Sequence, residues 1–400
     1  MLELQDALAL VLDAVAPLPA VEVPLQAALG YMLAETVVAD RDAPATDRSA
    51  MDGFAVRSAD CAEAGRRLTL TGEVRAGQDP GGLVVGAGEA VRVFTGATIP
   101  RGADAVAIQE LVEARPDTRT VVVRDGVDPG QHVRRRGEDV RAGEPVAKSG
   151  TNARAAEIAV LAAVGRARVR IIPAPRVSVA STGDEIIDAG DAPGDHQVRN
   201  SNAAMLVALC RSMRIEPRDL GIVRDEPGAL LRAIGEGLDG DVLVLTGGVS
   251  VGAYDLVAPS LRRAGCEVLF HNVAMRPGKP ILVARRGRCL AVGLPGNPVS
   301  AFTGFHVFLA PALRKLMGHV NPVAELVRVE LRQPLRRNPG RLTYHLAHLG
   351  TENGKPFVVP VAGASSGDVS SLARANAFIV SPGGSTPVPT GVDVDVLRWD

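Results

Sequence analysis

Aromatic residues are scarce, at 3% of 400 residues. Platforms that stack the bases of single-stranded nucleic acid need more of them. A charge of one sign is also missing: the formal net charge is −1, so no basic field draws in a nucleic acid. The densest basic cluster, Arg134 to Arg136, is too short for a tail and reads as a solvated turn. No apolar run reaches the about 18 residues of a transmembrane helix. The opening MLELQDALALVLDAVAPL mixes acids with apolar residues and lacks the basic start and small-residue cleavage site of a secretory signal. The expectation is a soluble, cytoplasmic protein without nucleic-acid or membrane partners. Cys61, Cys210, Cys266 and Cys289 lie far apart and never form C-x-x-C. That spacing argues against a disulfide framework or zinc knuckle, and the four read as buried apolar residues.

What is present is a change of period along the chain. Residues 4–16 carry apolar positions at helical spacing, and VEVPLQAALGYMLAETVVA continues in that manner. From about 44 to 137, short strand-like runs such as RLTLTGEV, EAVRVFTG and TVVVRDG alternate with Gly and Pro turns. Residues 151–165 predict a helix capped by Thr151 or Asn152 and stopped at Gly165. Because that helix rejoins the N-terminal ones, the β-rich part reads as an insertion. From about 172 to 318, apolar strands alternate with amphipathic helices, ending in a long helix from Pro298 to about Met317. This is the pattern of a doubly wound, mostly parallel α/β sheet. The rest is strands again. The expected architecture is multidomain α/β: an N-terminal helical domain (1–43 with 138–171), a β-rich insertion domain (44–137), an α/β domain (172–321) and a C-terminal β-domain (322–400).

Three strands of the α/β part run into glycine-containing turns. The first passes into Ser181-Thr182-Gly183-Asp184-Glu185, the second into Thr246-Gly247-Gly248-Val249-Ser250-Val251-Gly252. The third passes into Gly293-Leu294-Pro295-Gly296-Asn297-Pro298-Val299-Ser300. Ligands of an open parallel sheet bind outside the carboxyl ends of its strands, so the three turns should line one crevice. Glycine lets the backbone approach a ligand, and exposed N–H groups attract anions. Thr182, Thr246, Ser250 and Ser300 add neutral donors. One such turn alone reads equally as a tight strand–helix junction; three at one sheet edge point to an oxyanion. The pattern is neither G-x-x-x-x-G-K-[ST] nor G-x-G-x-x-G. MRPGKP adds Arg276 and Lys279 on a loop that Pro277 and Pro280 stiffen. Asp184, Glu185, Asp225 and Asp255 are hard ligands suited to Mg2+ beside a phosphate. Asp225 has an equal reading as a helix N-cap. His345 and His348 read as packing or surface residues of a strand, and His271 as a residue that could face the crevice.

The motifs SAMDGFAVRSAD (49–60), VFTGATIPRGADAV (93–106) and GEDVRAGEPVAKSGT (137–151) come first in the chain. STGDEI, RNSNAAML, LTGGVSVGAYD, MRPGKP, GLPGNPVSAF and SSLARANAFIV (370–380) follow in order. Together they resemble the molybdopterin molybdenumtransferase family, of the MoeA and gephyrin E-domain type, over essentially the whole chain. The α/β part alone also resembles the Mog-type adenylyltransferases; SAMDGFA and VFTGA favour the transferase. The resemblance implies substrates, adenylated molybdopterin and molybdate, with Mg2+-assisted release of AMP and molybdenum cofactor. It implies a homodimer, with the upstream adenylyltransferase and downstream molybdoenzyme chaperones as further partners.

The same resemblance distributes roles. Arg276, Lys279 and Ser300 match positions that hold molybdate. Thr182, Gly183, Asp184, Gly247, Gly248, Ser250, Gly252, Pro295, Gly296 and Asn297 match the pterin, phosphate and AMP site, joined by Thr95 and Ser366. Asp52, Glu185, Asp225, Asp255 and Lys279 match catalytic positions, with Glu185 and Asp255 as metal ligands. Asp52 and Thr95 would act across the dimer interface. Without the family, MDGFA is a hairpin turn with Met51 and Phe54 in a core. The chain departs from the family at Asn272, Ala253 and Leu346, where relatives often carry Lys, an acid and Arg. Arg276 stands where many have Lys, and guanidinium is a planar fork rather than a point charge. The alternatives are an adenylyltransferase and a non-catalytic molybdopterin-binding scaffold.

Overall fold

The alternation read from residue 172 onward folds as a six-stranded sheet. The computed structural model describes residues 1–249, 256–363 and 365–399. The strands of this sheet are β1 (Val177–Thr182), β2 (Arg218–Val223), β3 (Val242–Thr246), β4 (Glu267–His271), β5 (Leu282–Arg286) and β6 (Cys289–Leu294), in the order β2-β1-β3-β6-β5-β4. The first four are parallel neighbours, while β5 and β4 add antiparallel. β1, β3 and β6 are buried along their whole length, because both faces are covered. Side chains alternate between those faces. Val242 and Val244 join one core with Val177, Leu206 and Phe305, while Leu243 and Leu245 join another with Leu230, Ile234 and Leu261. The chain goes outward from β1 to β2, then back past β1 to β3. The strand order therefore reverses between β1 and β3, which is where such sheets open a crevice.

Helices α1 (Leu4–Asp13), α2 (Ala155–Ala163), α3 (Ser201–Ser212), α4 (Pro227–Gly237), α5 (Val257–Arg263), α6 (Pro298–Gly304) and α7 (Ala310–Leu316) complete the inventory of described α-helices. The long helix expected from Pro298 runs unbroken to Leu316 as α6 and α7, with a π turn at Phe305–Leu309 between them. Pro311 explains its place: it has no N–H to give an α-type bond to Val307. Gly304 lets this helix pack closely on β6, since a Cβ there would meet Leu294 Cδ2 at 2.7 Å. Helix α2 also differs from expectation. Its N-cap is Arg154, backed by Glu157, not Thr151 or Asn152.

The chain forms two compact units, Met1–Glu22 with Arg170–Asp400, and Val23–Val169. In the first unit, Ala7, Val11 and Val15 of the N-terminal segment share a core with Leu313 and Leu316 of α7. Lys315 Nζ donates to Leu12 O at 2.7 Å. Beyond the α/β sheet, strands Leu342–Glu352, Lys355–Pro360, Val327–Leu331, Asp393–Arg398 and Ala377–Ser381 pair in that order. The last pairs back to the first, so the five close on themselves. Met275–Arg276 adds in parallel to Leu342 and Thr343, which brings the MRPGKP loop beside this closed sheet. Trp399 packs on Phe302 and Phe378 at 4.9 and 4.5 Å.

In the second unit, the continued helix expected over VEVPLQAALGYMLAETVVA does not form. Val21–Pro24, Met32–Leu33 and Val37–Val38 are strands, with a 3-10 turn at Leu25–Ala28. Proline 24 and a left-handed Gly30 (φ 83°) interrupt a run of β-branched valines, so strand pairing wins over helical periodicity. The expected helical character of the N-terminal part is thus limited to α1 and α2. The insertion is β-rich, as its turns predict. A six-stranded sheet runs Ala105–Ile108, Gly53–Val56, Glu89–Val93, Arg66–Val74, Thr120–Val123, Val112–Arg115. Phe54 is buried in its core, but Met51 is 41% exposed and is not a core residue. Arg135 and Arg136 pair with Asp47 and Asp42 on the surface.

Candidate functional site

The three glycine turns meet at the carboxyl ends of β1, β3 and β6. Gly247 N donates to Leu294 O at 3.1 Å. Thr246 Oγ1 donates to Pro295 O at 3.3 Å. Gly183, Gly247 and Gly248 all have positive φ (146°, 93° and 59°), a region that favours glycine. The approach is close as well. A Cβ on Gly247 would overlap Thr182 O, one on Gly248 would lie 2.8 Å from Thr182 Oγ1, and one on Gly296 would lie 3.8 Å from Gly247 Cα. Thr182, Gly183, Gly247, Gly248, Pro295 and Gly296 are thereby assembled. Thr182 Oγ1 is buried with no hydrogen-bond partner among the described residues. Ser250, Gly252, Ala253 and Asp255 lie outside the described residues.

Sequence reasoning missed Asn202. Its Nδ2 donates to Thr246 Oγ1 at 2.9 Å and to Gly296 O at 2.8 Å, bridging two of the turns. The RNSNAAML motif contains it, but no local signal distinguishes its role from that of Asn200. Asn200 Oδ1 accepts from Ala203 N at 3.1 Å, capping α3, and from Ser181 Oγ at 2.9 Å. The helix start is therefore pinned to β1.

The third turn leads into a cavity of about 510 Å3. Asn297 Nδ2 donates to Ser366 Oγ at 3.2 Å, and Val299 N donates to Ser366 O at 3.1 Å. Ser366 and Ser300 line this cavity with Arg276, Lys279, Asn338 and His345, and no carboxylate is among the lining residues described. Two cations face a space without acids, which is an environment for an anion.

His345, expected to be a packing or surface residue, is part of that lining. The reason is long-range: Thr343 pairs with Arg276, and His345 lies two residues on, on the same face of the strand. Burial, with the charge of Arg276, pushes its pKa down to about 4. His306, packed against Phe302 at 4.6 Å, is pushed down to about 3, mainly by burial. Both rings have a buried Nε2 without a partner among the described residues. Free histidine titrates near 6.5, so the unfolded chain takes up these protons first. Stability is full above about pH 6.5 and falls as the pH drops toward 4 and 3. Each histidine is expected to add a slope of up to about 1.4 kcal/mol per pH unit in that window. Urea titrations from pH 7 to 4.5 on His306→Phe and His345→Gln check this. An unchanged slope in both variants would refute it.

The acids divide. Glu185 folds back over its own turn, since a Cβ on Gly183 would lie 2.6 Å from Glu185 Oε2. Asp184 Oδ1 accepts from Asp225 N at 3.3 Å, and Arg224 Nη1 donates to Asp184 O at 3.0 Å. Asp225 is not the N-cap of α4; that position is Glu226. His271 Nε2 meets Val249 O at 2.8 Å, next to the second turn. In the other unit, Thr95 N and Oγ1 donate to Asp52 Oδ1 at 2.7 and 2.8 Å. These bonds hold the Asp52 carboxyl below the usual range. The four cysteines are buried, and burial pushes Cys210 and Cys289 up to about 12, so none is a ready thiolate. No helix among the described residues is long and apolar enough to cross a membrane.

Comparison with known proteins gives a consistent result along the chain. Residues 2–165 match the MoeA N-terminal region (domain I and II), 178–315 a probable molybdopterin binding domain, and 328–399 the MoeA C-terminal region (domain IV). The chain is 33% identical over 397 residues to a molybdopterin molybdenumtransferase of Staphylococcus aureus (strain N315), covering 98% of this chain and 94% of that protein. It is 36% identical over 383 residues to the protein of that name from Bacillus subtilis (strain 168), covering 94% and 89%. Among solved structures, the molybdopterin biosynthesis moeA protein from Pyrococcus horikoshii OT3 superposes with a TM-score of 0.82 at 30% identity, with 100% of both chains covered.

Proposed function

We propose a division of labour at the site from one premise: this chain belongs to the MoeA family, the molybdopterin molybdenumtransferases. It is a transferase of molybdenum cofactor biosynthesis. The observation that carries the residue-level reading is the cavity. Arg276, Lys279 and Ser300 line it, no described carboxylate does, and it joins the glycine turns through Asn297 and Ser366. A tetrahedral dianion meets two cations and hydroxyl donors there, so molybdate belongs in this cavity.

The turns at Thr182–Asp184 and Gly247–Gly248, with Pro295–Asn297, hold the pterin phosphate and adenylate. Their close packing against Thr182 leaves backbone rather than side chain facing the crevice, which suits phosphate oxygens. Glu185 folds its carboxylate over Gly183, the residue after Thr182, whose buried Oγ1 has no partner among the described residues; these hard oxygen donors fit Mg2+, and Glu185 and Asp255 would hold the ion. When bound, Mg2+ neutralises the phosphoanhydride oxygens and makes AMP a better leaving group. Lys279 orients the molybdate, one of whose oxygens would attack the pterin-side phosphorus as the P–O bond to AMP breaks and AMP leaves; the dithiolene sulfurs then take molybdenum, and the transferred oxygen stays on the phosphate. Asp225 lies at the same edge, held against Asp184. Asp52, fixed by Thr95, completes the site of the opposite protomer in a cytoplasmic homodimer. Substrate arrives from the adenylyltransferase reaction, and product passes to molybdoenzyme chaperones.

The test is AMP release from adenylated molybdopterin with Mg2+, with and without molybdate. Release is expected to need molybdate. Equal release without it would refute the attack by molybdate. Tight binding with no release would favour a scaffold, and ATP-dependent product formation without molybdate would favour an adenylyltransferase.

A further inference from the structure

Asn202 is the second residue of α3, 8% exposed, and its amide is used asymmetrically. Nδ2 spends its hydrogens on two turns, at Thr246 Oγ1 (2.9 Å) and Gly296 O (2.8 Å), 44 and 94 residues away. Oδ1 is buried and has no hydrogen-bond partner among the described residues. A buried acceptor left without a partner is costly to the fold. A residue that merely filled the space would be apolar and carry no such cost. The bonds Nδ2 makes are therefore what the position is for.

Their consequence follows from the turns themselves. Gly247 and Gly248 have positive φ, and glycine lends a turn no stiffness of its own. The turn after β6 is braced to the turn after β3 by the Gly247–Leu294 backbone bond and the Thr246–Pro295 contact. Asn202 adds a third brace, rooted in a helix whose start is tied to β1 through Asn200 and Ser181. Its two bonds place the end of β3 and the turn after β6 at a set separation from β1.

We infer that Asn202 is a positioning residue for the transfer reaction, a strut that sets the spacing between the Thr246–Gly248 turn and the Pro295–Asn297 turn. That spacing governs how the phosphate held by the first turn meets the oxyanion cavity that begins at Val299 and Ser300. The inference rests on the reading of these turns and this cavity given above. A misplacement of the order of an ångström is enough to matter for reacting groups.

Two variants separate the strut from bulk. Asn202→Ala removes it. Asn202→Asp keeps its shape but sets an oxygen against Gly296 O. Both are expected to raise KM for adenylated molybdopterin about 10- to 100-fold in molybdate-dependent AMP release. The Kd for molybdate alone, by equilibrium dialysis, is expected to move less than about threefold, because Arg276 and Lys279 do not hang on Asn202. A lower Tm with KM unchanged would make Asn202 merely structural and overturn the inference. An equal rise in KM and in the molybdate Kd would overturn it too. Hydrogen–deuterium exchange gives a readout independent of activity. In Asn202→Asp, amides of 246–249 and 294–298 are expected to exchange faster together, with 275–280 unchanged. Unaltered exchange in either turn overturns the strut. Wild-type AMP release without molybdate would instead refute the cavity reading, leaving exchange to decide the strut. Thr246→Val covers the case where the Asn202 variants fail to fold, since it removes the acceptor at the far end; normal KM there would also overturn the inference.

Discussion

Replacing Arg276 and Lys279 together with alanine is expected to reduce molybdate-dependent AMP release by at least about 10³-fold. The lining of the cavity holds these two cations and no described carboxylate. A dianion that enters loses water on all sides and must recover that hydration from donors and charge. Truncating one partner of a desolvated charge pair costs about 2–5 kcal/mol, so each single variant should lose about 30- to 5,000-fold. Both side chains are exposed to water before substrate arrives, which places the single-variant effects toward the low end. Lys279→Arg should recover part of the loss, since charge remains while the point-like ammonium becomes a fork. Steady-state kinetics with molybdate varied would show the loss as a raised molybdate KM. If the double variant keeps more than about a tenth of wild-type kcat/KM for molybdate, the cavity is not the oxyanion site.

Gly247→Ala is the second large effect. Two costs coincide there: the backbone has φ 93°, and an added Cβ would overlap Thr182 O and stand 3.1 Å from Thr182 Oγ1. Gly287 separates them. It has φ 57° but nothing within 4 Å of an added Cβ. Gly287→Ala should therefore cost only the left-handed strain, about 1–2 kcal/mol. Gly247→Ala should cost about 3 kcal/mol or more in urea denaturation. It should also lower kcat/KM for adenylated molybdopterin about 100-fold, by pushing the turn off β1. Equal stability losses in the two variants would show that the turn has room to shift, and that the packing on Thr182 is not required.

Local chemistry made much of this molecule readable in advance. The β3 segment predicts a strand because four apolar residues meet a double glycine. The pairing of three such turns follows from a rule about where parallel sheets bind ligands. The motif order carried the family. Other features were hidden because their cause lies far along the chain. VEVPLQAALGYMLAETVVA has apolar residues at helical spacing, yet Pro24 and the positive φ of Gly30 turn it to short strands. The helix from Pro298 was legible, but not the π turn that Pro311 sets one turn earlier within it. His345 looked unremarkable in a strand until its neighbour Thr343 paired with Arg276.

The sequence by itself determined the class of each segment, the anion-seeking glycine turns, the cations Arg276 and Lys279, and the family. These are properties of neighbouring residues, set by φ freedom, side-chain charge and period. Only the tertiary structure decided that Asn202 braces Thr246 and Gly296, that His345 stands neutral in the wall of the cation-lined cavity, and that α1 joins the core of the α/β part. Each of these depends on a partner distant in the chain, and no local preference encodes which of several polar or apolar residues such a partner will meet. Burial then fixes the chemistry: the same imidazole that would titrate near 6.5 in water titrates at about 4 once the fold has removed its solvent and set Arg276 beside it.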